Sequence, residues 1–409
     1  MKVPKKSPLN WNRRPIPRQT EISQLQRTIV TIAVALGGFG IGTTEFVSMG
    51  LLPLIADDFS MTENHAGRII SAYALGVVVG APLITTLTGF IPRRRLLLLL
   101  MAFFVVGNFL TILAPSYIAL LLARFISGLP HGAFFSVSGL CVASMAPPGQ
   151  RGRALALVGV GFSAATIGGV PLAQWLGQVV HWKAAYGVVV VAGVATIVAL
   201  WLFMPHMTKM PATSPMTELG ALARSQVWLT LAMGAVGFGG MFAVYTYIAW
   251  TMTDPSRAAM NAAYIPLVLA AYGAGGLVGN LFGGWLADRN LELGIGFTLG
   301  CILAVMLGFY FASAHIIAGT VVFGFIGFFG SALVPQLQIR LMDVAGKAQT
   351  LAAALNHSAL NLANAVGAAV GGAVIAAGYS YASPALAGAA MAVSAIVIWV
   401  PTVLLRRTR

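Results

Sequence analysis

Glu45, Arg124 and His131 are the side chains best placed to do chemistry in this 409-residue sequence. Glu45 lies in an apolar, glycine-rich stretch, Gly37-Gly-Phe-Gly-Ile-Gly-Thr-Thr-Glu-Phe-Val-Ser-Met-Gly-Leu-Leu-Pro53. Arg124 and His131 share a second apolar stretch, seven residues apart and therefore on one face of a helix. Ionisable groups inside hydrocarbon are costly and mark proton or solute pathways. Burial and a neighbouring cation act in opposite directions on the protonation of a carboxylate. A conformational change that alters either influence moves a proton, so Glu45 with Arg124 is a candidate proton-coupling pair, in contact or through water. A fixed ion pair that orients two helices would use the same residues. His131 titrates near physiological pH and is a candidate relay; a helix-contact histidine is the alternative.

Further polar and aromatic side chains interrupt other apolar stretches. His357, Asn361 and Asn364 follow the i, i+4, i+7 spacing of one helix face. Such a stripe is expected to face a cavity or bond a neighbouring helix rather than lipid. Gln174, Tyr245, Tyr247, Trp250, Tyr272, Asn280 and Gln336 are added as candidate substrate contacts, with packing or interfacial anchoring as the alternative for each aromatic. Together they suit an amphipathic or hydroxylated organic substrate such as a drug, sugar or nucleoside.

The elements that must position these groups are membrane helices. The sequence is 58% hydrophobic and 8% charged, far below the roughly 25% charged residues of a soluble domain. Apolar runs predict twelve spans: 28–53, 65–88, 96–114, 117–144, 154–180, 185–204, 227–250, 262–286, 295–313, 316–341, 351–378 and 385–405. Each approaches or exceeds the roughly 20 residues that cross a bilayer. Glu45 is the one acid that falls inside a span. It is eight residues from Pro53, about 12 Å, and Arg124 is seven from Tyr117, about 10 Å, so both sit at similar depth. The expected fold is all-α, with two six-helix bundles related by a pseudo-two-fold axis.

Residues 1–27 form a basic tail, 28–204 a first bundle, 205–226 a central loop, 227–405 a second bundle and 406–409 a short tail. Twenty of the 24 Lys and Arg residues fall on the side of the tails and central loop; Arg68, Lys183 and Arg257 fall on the other. By the positive-inside rule both termini are expected to be cytoplasmic. The net charge of +14 is thereby assigned to topology rather than to nucleic acid. Cys141 and Cys301 give no disulfide framework, no cluster has metal-ligand spacing, and no Walker loop is present. No cofactor and no enzymatic activity is expected.

The two halves repeat each other. Gly38-Phe-Gly40 recurs as Gly237-Phe-Gly239, and Ala72-Tyr73-x-x-Gly76-x-x-x-Gly80 recurs as Ala271-Tyr272-x-x-Gly275-x-x-x-Gly279, both at an offset of 199. One offset across two consecutive spans indicates a duplicated six-helix unit. Val244 stands where the repeat would place a second Glu45.

These features resemble the major facilitator superfamily, and within it the twelve-span drug–proton antiporters similar to arabinose-efflux permeases. The stretches that carry the likeness are Gly42-Thr-Thr-Glu-Phe-Val-Ser-Met-Gly-Leu-Leu-Pro53, Ser71-Ala-Tyr-Ala-Leu-Gly-Val-Val-Val-Gly-Ala-Pro82, Arg124-Phe-Ile-Ser-Gly-Leu-Pro-His-Gly-Ala-Phe-Phe135 and Gly169-Val-Pro-Leu172. The family's loop pattern Gly-x-x-x-Asp-Arg survives as Gly284-Trp-Leu-Ala-Asp288-Arg289. In the first half Gly89 replaces the Asp, and only Arg93, Arg94 and Arg95 remain. Gating is thus expected to rest on the second half, with Arg93 and Arg94 as gate or topology residues. The antiporter pattern of span 5 is loosened to Gly168-Gly169-Val-Pro171, where small residues permit close helix approach and a bend.

The resemblance implies proton-coupled export of a small molecule by alternating access in a bacterial cytoplasmic membrane, by a monomer. A facilitator or proton symporter for uptake is the alternative.

Overall fold

Tight glycine crossings set how close the helices come. The computed structural model describes residues 22–61, 68–207, 214–261 and 264–407. The expectations for most of the basic tail, residues 1–21, and for Lys209 lie outside these residues.

Span 1 is Gln24–Gly50, span 2 Arg68–Leu87 and span 3 Arg93–Leu113. Span 4 is divided into Tyr117–Gly128 and His131–Met145 around Pro130, which brings no N–H to the ladder. Span 5 comprises Arg151–Ala164, a π-helical turn Ala165–Gly169 and Val170–Val179. The π turn lies directly before Pro171, where the bend was expected. Span 6 is Trp182–Phe203. A short linker helix, Pro215–Leu219, precedes span 7, Ser225–Thr253. Spans 8 and 9 form the continuous run Ile265–Ala312, broken by extended backbone at Asn290 (φ −154°, ψ 101°). Asn290 accepts the N–H of Leu293 at 3.2 Å and so caps span 9 in the manner of an N-cap. Span 10 is Ile316–Val344, span 11 Gln349–Ala376 and span 12 Pro384–Arg407.

Two differences from the sequence reading affect the site. Span 1 ends at Gly50 and the chain turns into a separate helix, Leu52–Asp58. Glu45 is therefore five residues from the helix end, about 8 Å rather than 12 Å. Arg340, at the end of span 10 and one of the twenty cations counted on the side of the tails, is fully buried and ion-paired with Glu292.

Six helices form each bundle, and the repeat is visible in the packing. In the first bundle a Cβ on Gly76 of span 2 would overlap the Phe125 carbonyl of span 4, and one on Gly128 would overlap the Tyr73 carbonyl. In the second, Gly275 meets the Gly324 carbonyl and Gly327 meets that of Tyr272. Positions 76 and 128 map onto 275 and 327 by the offset of 199. Absent side chains let these backbones approach, as is usual where lipid supplies no hydrophobic drive between helices.

Most buried apolar clusters belong to one bundle. Met101, Phe104 and Phe134 are central in the first; Met241, Leu299 and Phe323 are central in the second. A further cluster joins the bundles, with Leu140, Ala143 and Leu155 against Ala287, Ile339, Met342 and Ala353. It lies at the face that carries the linker, called here the terminal face.

Gly128→Ala and Gly327→Ala are each expected to cost about 1–3 kcal/mol through overpacking. The thermal-unfolding midpoint in detergent should fall for both. Gly308→Ala, where an added Cβ meets nothing within 4 Å, should leave it unchanged or slightly raised.

Candidate functional site

A central cavity of about 1240 Å³, open mouth included, lies between the bundles. Spans 1, 4 and 5 line one side and spans 7, 8, 10 and 11 the other. Its walls combine rings (Phe46, Phe135, Phe162, Phe238, Phe242, Tyr245, Tyr272) with convergent polar groups: Glu45, His131, Asn280, Gln338, His357, Asn361 and Asn364. An apolar cleft with a few placed polar groups is the usual form of a small-molecule site.

Glu45 faces this cavity from span 1. Its Oε2 is buried, makes no hydrogen bond among the described residues and lies 3.9 Å from His131 Nδ1. The same nitrogen is 3.0 Å from the Tyr73 hydroxyl. The His131 ring stands 5.5 Å from that of His357, which stacks on Phe135 at 4.7 Å. A carboxylate and two imidazoles thus form a series that crosses from the first bundle to the second. All three side chains line the cavity.

Arg124 makes no direct ion pair with Glu45 among the described residues. It is fully buried and donates from Nη1 to Thr44 Oγ1 at 2.8 Å and from Nη2 to the Thr44 carbonyl at 2.9 Å. Its guanidinium lies 4.5 Å from the Tyr73 ring centroid and 5.3 Å from that of Tyr186. The Thr44 hydroxyl in turn donates to Asn108 Oδ1 at 2.6 Å. The correction follows from helix geometry. Successive residues are turned by about 100° (3.6 per turn), so the helix that points Thr44 into its bundle points Glu45 out to the cavity. Arg124 holds the residue next to the acid and acts on Glu45 through its field.

Tyr245, Tyr272, Asn280, His357, Asn361 and Asn364 line the cavity as expected, with Tyr245 and Tyr272 in ring contact at 4.9 Å. Four candidates, Gln336, Trp250, Gln174 and Tyr247, do not line it. Gln336 is fully buried within the second bundle and donates to Thr298 Oγ1 at 3.0 Å. Trp250 is 53% exposed on the outer surface. Gln174 is half-buried on span 5, away from the cavity lining. Tyr247 donates to the Ala368 carbonyl and ties span 7 to span 11.

The expected gate residues divide in the same way. Asp288 accepts the N–H groups of Gly152 at 2.7 Å and Arg153 at 3.0 Å, so the second bundle caps the start of span 5 in the first. Gly284 abuts Gly152 so closely that a Cβ on either would overlap the other's carbonyl. Arg93 reaches across to Thr350 Oγ1 at 3.2 Å, Ser136 donates to the Thr350 carbonyl at 2.5 Å, and Arg151 lies 3.6 Å from Asp343. These cross-bundle contacts close the terminal face. Arg94 instead bonds the Trp201 carbonyl and His206 on its own side of the molecule, and Arg289 lies over Trp285 of its own helix. Gly169 packs against Thr43 and Phe39 of span 1, whereas Gly168 and Pro171 are exposed.

Tyr73, Thr44 and Asn108 escaped the sequence reading. Tyr73 belongs to the repeated Ala-Tyr pair whose other member, Tyr272, was selected. Thr44 and Asn108 carry no spacing signal, because their partners come from different spans.

The model of the Major Facilitator Superfamily matches residues 34–326. The inner membrane transport protein YdhP of Escherichia coli K12 is 39% identical over 367 residues, 90% of this chain and 94% of that protein. A probable sugar efflux transporter of Helicobacter pylori 26695 is 32% identical, covering 83% of this chain and 87% of that one. Among solved structures, FucP in the outward conformation superposes with a TM-score of 0.73 at 17% identity, over 92% of this chain and 99% of FucP.

Thr44→Val deprives Arg124 of its side-chain acceptor and Asn108 of its donor, and should cost about 1.5–3 kcal/mol for a buried charged hydrogen bond. Arg124→Lys should not rescue stability, because one ammonium cannot reproduce the fork over two Thr44 oxygens. Thermal unfolding of both variants checks this; a native midpoint for Arg124→Lys would refute the clamp.

Proposed function

The chain belongs to the Major Facilitator Superfamily, and from that premise we propose that it is a proton-coupled exporter of a small amphipathic or hydroxylated organic solute. It is a multi-pass membrane transporter and not an enzyme. The finer reading rests on one observation above all: Glu45 turns its carboxylate into the central cavity, beside His131, from the span that Arg124 clamps.

The positive-inside count assigns the terminal face to the cytoplasm. The bundles then close the cytoplasmic side here, and the cavity belongs to the outward-facing arrangement. Glu45 takes a proton from the far side in this state. Rocking of residues 28–204 against 227–405 about the cavity, as in other two-bundle transporters, carries that proton inward. Arrival of solute from the cytoplasm favours its release. Coupling follows if solute and proton compete for one site, since a ligand shifts a conformational equilibrium only by its differential affinity.

The cavity walls set the solute class. Stacked rings offer apolar faces, and the amides of Asn280, Asn361, Asn364 and Gln338 offer both donors and acceptors. A hydroxylated ring compound fits both sets of groups. The name of the Helicobacter pylori relative, a probable sugar efflux transporter, points to the same class. A multiply charged cation is disfavoured, because Glu45 is the one acid in the lining. The membrane is assigned as the bacterial inner membrane on the name of the Escherichia coli relative.

Inverted membrane vesicles with an acidic lumen test the direction and the coupling. A panel of labelled sugars, nucleosides and cationic dyes should yield at least one solute that accumulates as the pH gradient is imposed. Glu45→Gln should lower that accumulation at least tenfold while gradient-independent exchange of the solute persists. Undiminished gradient-driven accumulation in Glu45→Gln contradicts the assignment, and accumulation with the gradient reversed identifies uptake by symport instead.

A further inference from the structure

Span 11 begins at the terminal face with Ala348 at its N-cap, a residue with no side-chain acceptor. The first amides of a helix have no partner within it and must find one elsewhere. Here the partner comes from the central linker. Glu218, fully buried on the short helix Pro215–Leu219, accepts the N–H of Leu351 on Oε2 at 2.9 Å. That linker helix packs against span 2 of the first bundle and span 11 of the second. Ser214 fixes its start by accepting the N–H of Thr217 at 3.2 Å.

The other bundle solves the same problem with different material. Span 5 begins after Gln150, which also lacks a side-chain cap, and Asp288 at the end of span 8 accepts Gly152 and Arg153. The internal offset of 199 carries Gly152 onto Leu351 and carries Asp288 back to position 89. Position 89 is glycine, buried at the end of span 2. The bundle that should supply a carboxylate to span 11 has none there. Glu218 supplies it from the linker, to the amide that the offset specifies.

We propose that Glu218 is the missing half of the terminal-face gate: a positioning residue that replaces the carboxylate absent at Gly89 and makes the central linker part of the latch. Arg93 bonds Thr350 in the same first turn, so cation and carboxylate grip one helix start together. A carboxylate on span 2 would move with the first bundle as a rigid part. A carboxylate on the linker ties linker docking to closure, so the linker helix leaves span 11 whenever the terminal face opens. This rests on the alternating-access reading above, but not on protons or on the identity of the solute.

Spin labels at Pro148 and Lys347, exposed on opposite bundles of the terminal face, report closure directly. They would be placed in the full chain with Cys141 and Cys301 replaced by alanine. Glu218→Ala should raise the ratio of open to closed distances roughly tenfold, the scale of one charge-assisted hydrogen bond. Glu218→Gln keeps an acceptor oxygen without charge and should open the face less. Adding Gly89→Asp to Glu218→Ala should restore the closed distance. A purely structural cap would lower the melting temperature of Glu218→Ala and leave the distances of the folded protein unchanged. Unchanged distances in Glu218→Ala, or in Glu218→Gln should the alanine variant not fold, overturn the proposal. A double variant as open as Glu218→Ala overturns the equivalence with position 89. No solute or pH gradient enters the measurement, so its outcome is independent of proton coupling at Glu45.

Discussion

Arg124 must find all its partners inside the first bundle, and the site depends on how it does so. A fully buried guanidinium is costly unless its charge and N–H groups are engaged. Span 1 offers both oxygens of Thr44, and Tyr73 and Tyr186 offer ring faces. The clamp fixes the rotation of span 1 about its axis. Once Thr44 is held inward, Glu45 has one direction left, into the cavity. The cation sets where the acid points and how strong a field it feels, without neutralising it through contact.

A second constraint acts at the terminal face. Helix starts expose amides that need acceptors, and both spans 5 and 11 begin there without caps of their own. The carboxylates of Asp288 and Glu218 fill these places. Closing the face therefore satisfies backbone groups that opening must hand to water. On the proposed alternating-access cycle, solvent at the membrane boundary lets those groups exchange partners in both directions. The deeper clamp at Arg124 has no such access to water and is suited to stay made throughout the cycle.

Much of this was legible in the sequence. Long apolar runs marked the twelve helices and the 199-residue offset marked the duplicated half, and in the structure the glycines at 76, 80, 275 and 279 sit at equivalent crossings. Glu45, His131 and the stripe of His357, Asn361 and Asn364 reach the cavity. What periodicity cannot supply is the absolute rotation of each helix. A turn of one residue separates Glu45 from Thr44, and so decides which of them Arg124 meets. The same ignorance of rotation sent Gln174, Gln336 and Trp250 to the cavity on paper, whereas they lie beside it, behind it and outside the bundle. Glu218 was beyond reach for another reason: its function lies in contacts between the linker and a helix more than a hundred residues away.

Infrared difference spectroscopy of the reconstituted protein, stepped between acid and neutral buffer, tests the central claim that Glu45 is an exchangeable proton site facing the cavity. The account predicts a C=O band of a protonated carboxyl that appears and disappears reversibly with the step, and that is lost in Glu45→Gln. An identical band in Glu45→Gln would place the exchanging proton on another group and contradict it.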